Sequence, residues 1–211
     1  MTFKPDLRKL GIETTFSHYF DLDVIKCDNN EVFVDCGCFV GDTVLSYIKQ
    51  YGNRYKKIYS YELSRKNYEI AQKSLEGIER VVLRNAGVSD TNGIIKMLDA
   101  SHIAAGSANR IHSSGNATGE VVRIDDDIDE NVTFIKMDVE GAEVDALNGA
   151  RNQIQKNKPK LAISLYHKYT DLLEIPVLIK QMVPEYKLYL RNNSAYDFPF
   201  PTEYVLLATV D

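Results

Sequence analysis

Residues Glu31 to Asp42 read E-V-F-V-D-C-G-C-F-V-G-D, an apolar strand that ends in an acid and runs into a turn built on two glycines. Val32, Phe33 and Val34 are β-favouring and uninterrupted, the pattern of a strand buried on both faces of a parallel sheet. Gly37 and Gly41 permit a tight turn and close backbone approach, and Asp42-Thr43 opens a helix continuing through Val44, Leu45 and Ile48. Strand, glycine turn and helix N-terminus together make a site for a nucleotide-like ligand.

Outward from this turn, strand and helix alternate. Further strands are expected over Lys57–Glu62, Arg80–Asn85, Ile94–Leu98, Val132–Asp138 and Lys160–His167, the last set off by Pro159. Helices are expected from about Thr43 to Tyr51, from Ser64 to about Leu75, after V-E-G-A-E, and from about Asp171 to Met182. Ser64 suits an N-cap, with Tyr68, Ala71 and Leu75 on one face of its helix. Tyr186–Asn192 and Glu203–Val210 read as a closing antiparallel pair. The expected fold is α/β, a doubly wound, Rossmann-like sheet of about seven strands, mostly parallel, with a C-terminal antiparallel hairpin. Residues 1–30 read as a lead-in whose Phe16, Tyr19, Phe20 and Leu22 pack on the edge of the core, and residues 31–211 as one domain. The stretch from Asp99 to Glu120, rich in Ser, Gly, Asn, Ala and His, reads as a long loop or loose hairpin. Val121–Ile124 is then a short edge strand and Asp125–Asp129 an acidic turn.

With 211 residues, 44% hydrophobic and 26% charged, the composition is that of one soluble globular domain. A net charge of −5 argues against nucleic acid as a partner, which calls for a basic face. No apolar run approaches a membrane span and the N-terminus lacks a signal-peptide core, so a cytoplasmic location without membrane contact is expected. Cys27, Cys36 and Cys38 read as reduced structural thiols. The oligomeric state is not legible.

A dinucleotide fingerprint needs a middle glycine where this chain has Phe39, which would obstruct a pyrophosphate. Glu62 ends the second strand, where an acid accepts hydrogen bonds from ribose hydroxyls. Asp35 beside the turn repels phosphate and favours an ammonium or sulfonium group. Together these residues point to S-adenosylmethionine, its ribose at Glu62 and its amino acid end over Gly37–Gly41.

A second constellation, M-D-V-E-G-A-E (Met137–Glu143), ends the fourth strand. Ligands of open parallel sheets lie beyond the strands' carboxyl ends, so Asp138 and Glu140 are expected to face the crevice. They would orient the cofactor's amine, bind a substrate hydroxyl or share a metal ion, although no metal ligand set is assigned. The plain alternative is that Asp138 caps the loop and Glu140 helps begin the helix. Glu143 reads as a solvated first-turn acid, and Lys136 as structural or paired with an acid. His167, at the end of the fifth strand, is a candidate general base in its neutral form, with Glu140 as the other catalytic candidate. His102 and His112 are lesser candidates for substrate contact, and the 99–120 loop and Tyr196–Tyr204 for shaping its pocket.

V-F-V-D-C-G-C-F-V-G-D-T (Val32–Thr43), Y-S-Y-E-L-S (Tyr59–Ser64), F-I-K-M-D-V-E-G-A-E-V-D-A-L-N-G-A (Phe134–Ala150) and L-A-I-S-L-Y-H-K-Y-T-D-L (Leu161–Leu172) resemble the FkbM family of S-adenosylmethionine-dependent methyltransferases. The resemblance spans roughly residues 31–210 and implies a fold of the class I methyltransferase type. It implies that Asp35, Gly37 and Gly41 hold the cofactor's amino acid end; Cys38, Asp42 and Thr43 in the same turn, and Asp138, are further candidates for cofactor contact. Glu62 then meets its ribose, and Asn85 and Ala86 neighbour its adenine. It further implies O-methylation of a small-molecule or saccharide acceptor. Leu63-Ser64 and Cys38 depart from the family's usual residues at those places. The alternative reading is a non-catalytic domain of the same fold that binds S-adenosylmethionine or S-adenosylhomocysteine, or serves as a scaffold.

Overall fold

The structure, a computed structural model, describes residues 18–98, 110–111, 115–193 and 203–210. The elements follow in chain order as β1 (Val32–Cys36), α1 (Asp42–Tyr51), β2 (Lys57–Tyr61), α2 (Arg65–Ser74), β3 (Val81–Arg84), β4 (Gly87–Val88), β5 (Gly93–Leu98), β6 (Arg110–Ile111) and β7 (Ala117–Val122). They continue as α3 (Ile124–Asp127), β8 (Phe134–Met137), α4 (Glu143–Gly149), α5 (Arg151–Asn157), β9 (Lys160–Ser164), α6 (Asp171–Met182), β10 (Lys187–Asn192) and β11 (Tyr204–Thr209).

Seven strands form the main sheet in the order β10-β11-β9-β8-β1-β2-β3. β1, β2, β3, β8 and β9 pair in parallel, and β11 runs antiparallel to both β9 and β10. The chain leaves β1 toward β2 and β3, then returns to β8 on the other side. The order therefore reverses between β1 and β8, and a crevice opens at the carboxyl ends of those two strands.

Both faces of the sheet's central strands are buried, as the unbroken apolar runs predict. Along β1, Val32, Val34 and Cys36 join a core that includes Ala146, Leu147, Ile154, Ile175 and Ile179 from the helices on that side. Phe33 faces the other way, stacked on Tyr47 at 5.0 Å and on Phe134 at 4.7 Å. Strand alternation puts Asp35, Lys136 and Asp138 on this second face, toward the last turn before α1. Ser64 caps α2, its Oγ accepting from Asn67 N–H.

Several expectations need correction. Val121–Ile124 is not an edge strand: Val121 and Val122 end β7, which lies inside a second sheet of order β4-β7-β5-β6. β7 pairs with β5 from Gly93↔Val121 to Met97↔Ala117, so residues 117–120 are strand rather than loop. Of the acids after it, Asp125, Asp126 and Asp127 lie in the short helix α3 rather than a turn, and Asp129 follows that helix. Of the lead-in residues, Tyr19 and Phe20 are buried, but Leu22 is exposed. Phe16, residues 99–109 and 112–114 with His102 and His112, and residues 196–202 lie outside the described residues. The cysteines are free, and burial pushes each thiol up, that of Cys27 to about 12, as unreactive structural thiols require. No helix among the described residues is long and apolar enough to cross a membrane.

Candidate active site

Two loops meet at the switch point. After β1, the N–H groups of Gly37 and Cys38 both donate to Tyr61 O at 3.0 Å, which ties the turn to the end of β2. After β8, Asp138 N–H donates to Cys36 O at 3.0 Å. Gly37 has φ +78°, and a Cβ there would lie 1.9 Å from Asp138 O, so only glycine lets the two loops close to this distance. Gly41, also at positive φ, precedes α1 with no side-chain cap.

Two cavities open here. One is narrow and lined by Gly37, Phe39, Glu62, Leu63, Asp138 and Glu140, among others. The other, about 490 Å³, lies toward α1 and includes Tyr19, Asp42, Thr43, Lys49, Asp138 and Tyr166. Gly37, Phe39 and Asp138 border both.

Glu62 is buried, and its carboxylate accepts from Phe39 N–H at 2.9 Å and Ser64 N–H at 2.8 Å. Burial pushes its pKa up to about 7, and those two hydrogen bonds and the charge of Lys136 only partly oppose this. Asp138 Oδ2 accepts from Tyr19 Oη–H at 2.6 Å and from Tyr166 Oη–H at 3.0 Å. Burial works to raise the Asp138 pKa, but Lys136, the Tyr19 hydrogen bond and His167 outweigh it and hold the group below its ordinary value.

Behind Asp138 stands His167, its side chain 9% exposed. Nδ1 is 2.8 Å from Glu143 Oε1, while Nε2 is 3.2 Å from Asp138 Oδ1 and 3.7 Å from Glu140 Oε2. Burial acts to lower its pKa, but the Glu143 hydrogen bond and the charges of Glu143, Asp138 and Glu140 raise it overall. This favours the imidazolium, which is at odds with a neutral general base.

Other expected residues fall elsewhere. Asp35 is wholly buried and lines neither cavity; its Oδ1 is 3.1 Å from Lys136 Nζ, so its charge is met inside the protein rather than offered to a ligand. Lys136 is thus paired with an acid, as expected, and it also donates to Gly37 O at 2.6 Å. Asp35 and Asp138 hold its pKa above the ordinary lysine value despite its burial. Cys38 and Ala86 are buried behind the turn, and Asn85 braces β2 by donating to the carbonyls of Glu62 and Leu63. Glu143 is not a solvated acid: it is fully buried, and its Oε1 also accepts from Val139 N–H at 3.0 Å and Gly141 N–H at 3.4 Å. Glu140 does not begin α4, which starts at Glu143; it sits in the preceding loop at φ +54°. Sequence reading missed Tyr19 and Tyr166 as partners of Asp138. Tyr19 lies 119 residues from Asp138 and carries no local signal.

Residues 35–192 match the pattern of the methyltransferase FkbM domain. The chain belongs to the FkbM methyltransferase family. Among solved structures, this FkbM domain is similar to the methyltransferase FkbM from Methylobacillus flagellatus KT, at 29% identity and a TM-score of 0.75. That alignment covers 92% of this chain but 47% of the other, so the chain spans about half the length of that relative. It also shares its fold with a Streptococcus mutans protein in complex with SAH, at 14% identity, a TM-score of 0.52 and 99% of each chain covered. A third is M. jannaschii TYW2 in complex with AdoMet, at 11% identity and a TM-score of 0.51, with 93% of this chain and 73% of that one covered. No curated protein matches the chain. The fold of this FkbM domain is that of the class I methyltransferases.

The positive φ of Glu140 is strained for a residue with a side chain. Glu140→Gly is expected to raise unfolding stability by about 0.5–1 kcal/mol in urea denaturation, because glycine takes this conformation freely. Unchanged or lower stability would show that the Glu140 side chain contributes more to folding than its backbone costs.

Proposed function

We propose that this FkbM domain transfers the methyl group of S-adenosylmethionine to a hydroxyl of a small-molecule or saccharide acceptor. The observation that carries this reading is the pair of cavities sharing Gly37, Phe39 and Asp138. The cofactor lies in the narrow cavity with its ribose on Glu62, where no phosphate-binding glycine is needed and Phe39 takes that place. Its amino acid end passes over Gly37, whose lack of a side chain leaves the backbone open. The acceptor occupies the wider, polar cavity between α1 and Tyr166, and its hydroxyl meets the methyl group beside Asp138. The acceptor oxygen attacks the methyl carbon, the sulfur–carbon bond breaks, and the sulfonium becomes a neutral thioether. The hydroxyl proton leaves toward the Asp138 and Glu140 carboxylates. His167, held by Glu143, positions Asp138 rather than acting as a neutral base. Much of the acceleration then comes from alignment of the two reactants.

A screen with labelled-methyl S-adenosylmethionine against saccharides and small hydroxylated compounds tests this. Label is expected on an acceptor oxygen. Tight cofactor binding with no transfer to any acceptor would favour the non-catalytic binding domain.

The raised pKa of Glu62 adds a pH dependence. Ribose hydroxyls donate to the ionised carboxylate, so a protonated Glu62 must lose its proton before the ligand binds. Affinity for S-adenosylhomocysteine, read by calorimetry, is expected to fall about tenfold per unit as pH drops below about 7. Asp35 and Lys136 bear on this titration and partly oppose one another. Glu62→Gln is expected to bind more weakly with a flat profile. An equally steep profile in that variant would place the titration on another group.

A further inference from the structure

The cluster behind the crevice carries more negative charge than its cations meet. Asp138, Glu140 and Glu143 gather around His167, while Lys136, which also feels the charge of Asp138, is occupied by Asp35 at 3.1 Å. His167 connects the rest. Glu143 Oε1, itself held by the N–H groups of Val139 and Gly141, receives Nδ1–H, so a cation bound at Nε2 would displace the Nε2 proton of the imidazolium and take the lone pair left there. Nε2 lies close to two carboxylates, those of Asp138 and Glu140. Nε2 is buried and makes no hydrogen bond among the described residues, although Asp138 Oδ1 is 3.2 Å away, because the pair is out of line for one. Glu143 Oε2 is likewise buried without a partner.

We infer that His167 Nε2, Asp138 Oδ1 and Glu140 Oε2 form a site for a divalent transition-metal ion such as Mn²⁺ or Zn²⁺, with Glu143 as its orienting carboxylate. Asp138, Glu143 and His167 bring ligand atoms within 4.8 Å of one another, and Glu140, outside that group, adds its carboxylate 3.7 Å from Nε2. The separations from Nε2 of 3.2 Å and 3.7 Å bracket the spacing of about 3.3 Å between ligands of a four-coordinate ion with bonds of about 2.0–2.1 Å. One imidazole and two carboxylates suit a borderline ion rather than calcium or a thiolate-seeking metal. A carboxylate on the far nitrogen of a ligating histidine is the usual support for such an ion, and the Tyr19 and Tyr166 hydroxyls hold Asp138 Oδ2 in the same supporting way.

This deepens the proposed reaction and rests on it for its purpose. Asp138 borders both cavities and Glu140 the narrow one, so an ion held between them stands where the cavities meet, and its open position is assigned to the acceptor. The acceptor hydroxyl binds there and ionises more readily; its proton passes to the second oxygen of Glu140 and on to water. The alkoxide then forms the bond to the methyl carbon as the sulfur–carbon bond breaks.

Titration of the full chain with Co²⁺, followed by visible ligand-field absorption and equilibrium dialysis, tests the site without any turnover. One ion per chain is expected. Glu143→Gln is expected to weaken binding about 10–100-fold, and His167→Gln to remove the absorption bands. Glu140 is part-exposed, so Glu140→Gln should fold normally and still bind Co²⁺ at least tenfold more weakly. No saturable binding, or equal binding in wild type, His167→Gln and Glu140→Gln, overturns the inference. Calorimetry with S-adenosylhomocysteine on the same samples keeps the two readings apart: ligand binding without Co²⁺ binding removes the metal site alone, and the reverse removes the cofactor assignment alone.

Discussion

Asp138→Asn is expected to lower turnover by about 100- to 10,000-fold while S-adenosylhomocysteine still binds within about tenfold of wild type. Asparagine keeps the shape of the side chain, and its carbonyl oxygen still accepts from Tyr19 and Tyr166, which donate to Oδ2 at 2.6 and 3.0 Å. The charge is what disappears. In the wild type that charge stands where both cavities meet, and it is held ionised by Lys136, the Tyr19 hydrogen bond and His167. The ribose end is anchored at Glu62, on the far side of Gly37, so ligand affinity should move little. The fold should survive as well, because the other three carboxylates of the cluster remain. Single-turnover assays with labelled cofactor read the effect on the methyl-transfer step itself. Turnover near wild type would remove Asp138 from the reaction and leave it a structural acceptor of two tyrosine hydroxyls.

Gly37→Ala should act on the frame rather than the chemistry. A Cβ at this position would meet Asp138 O at 1.9 Å and its carbonyl carbon at 2.9 Å, both backbone atoms that cannot rotate away. The loops after β1 and β8 would have to separate, breaking the Asp138 N–H to Cys36 O hydrogen bond that closes the crevice floor. A loss of about 3 kcal/mol or more in unfolding stability is expected, with S-adenosylhomocysteine binding weakened at least about 100-fold. Gly52→Ala provides the control. That residue also has positive φ, with φ 67° and ψ −154°, but a Cβ there meets nothing within 4 Å, so only conformational strain of about 1–3 kcal/mol applies. Equal losses in the two variants would show that backbone strain alone, not the close approach of the two loops, makes Gly37 necessary.

The parts of the fold legible in the sequence were those with strong local signals. The apolar run at Val32–Val34 with its glycine turn led directly to β1 and α1, and the helix expected from about Asp171 to Met182 coincides with α6. The second sheet was not legible because its strands carry little pattern. β4 is two residues long, and β7 begins A-T-G-E, a stretch that reads as loop until it pairs with β5. Residues of the site divide along the same line. Gly37, Glu62, Asp138 and Glu140 reach the first cavity because strand ends and glycine turns announce themselves. Asp35 looked like a ligand contact for the same reason, but alternation turns it toward Lys136, a partner contributed by a strand far along the chain. Glu143 shows the limit most plainly. An acid in a helix's first turn is ordinarily solvated, and only the return of the chain through β9 brings His167 against it and buries both.

A crystal structure with S-adenosylhomocysteine tests the central claim most directly. The ribose hydroxyls are expected within hydrogen-bond distance of Glu62, the amino acid end over Gly37, and the sulfur beside Asp138 facing the wider cavity. Density for the ligand elsewhere, or a ribose that leaves Glu62 bonded only to the Phe39 and Ser64 amides, would contradict it.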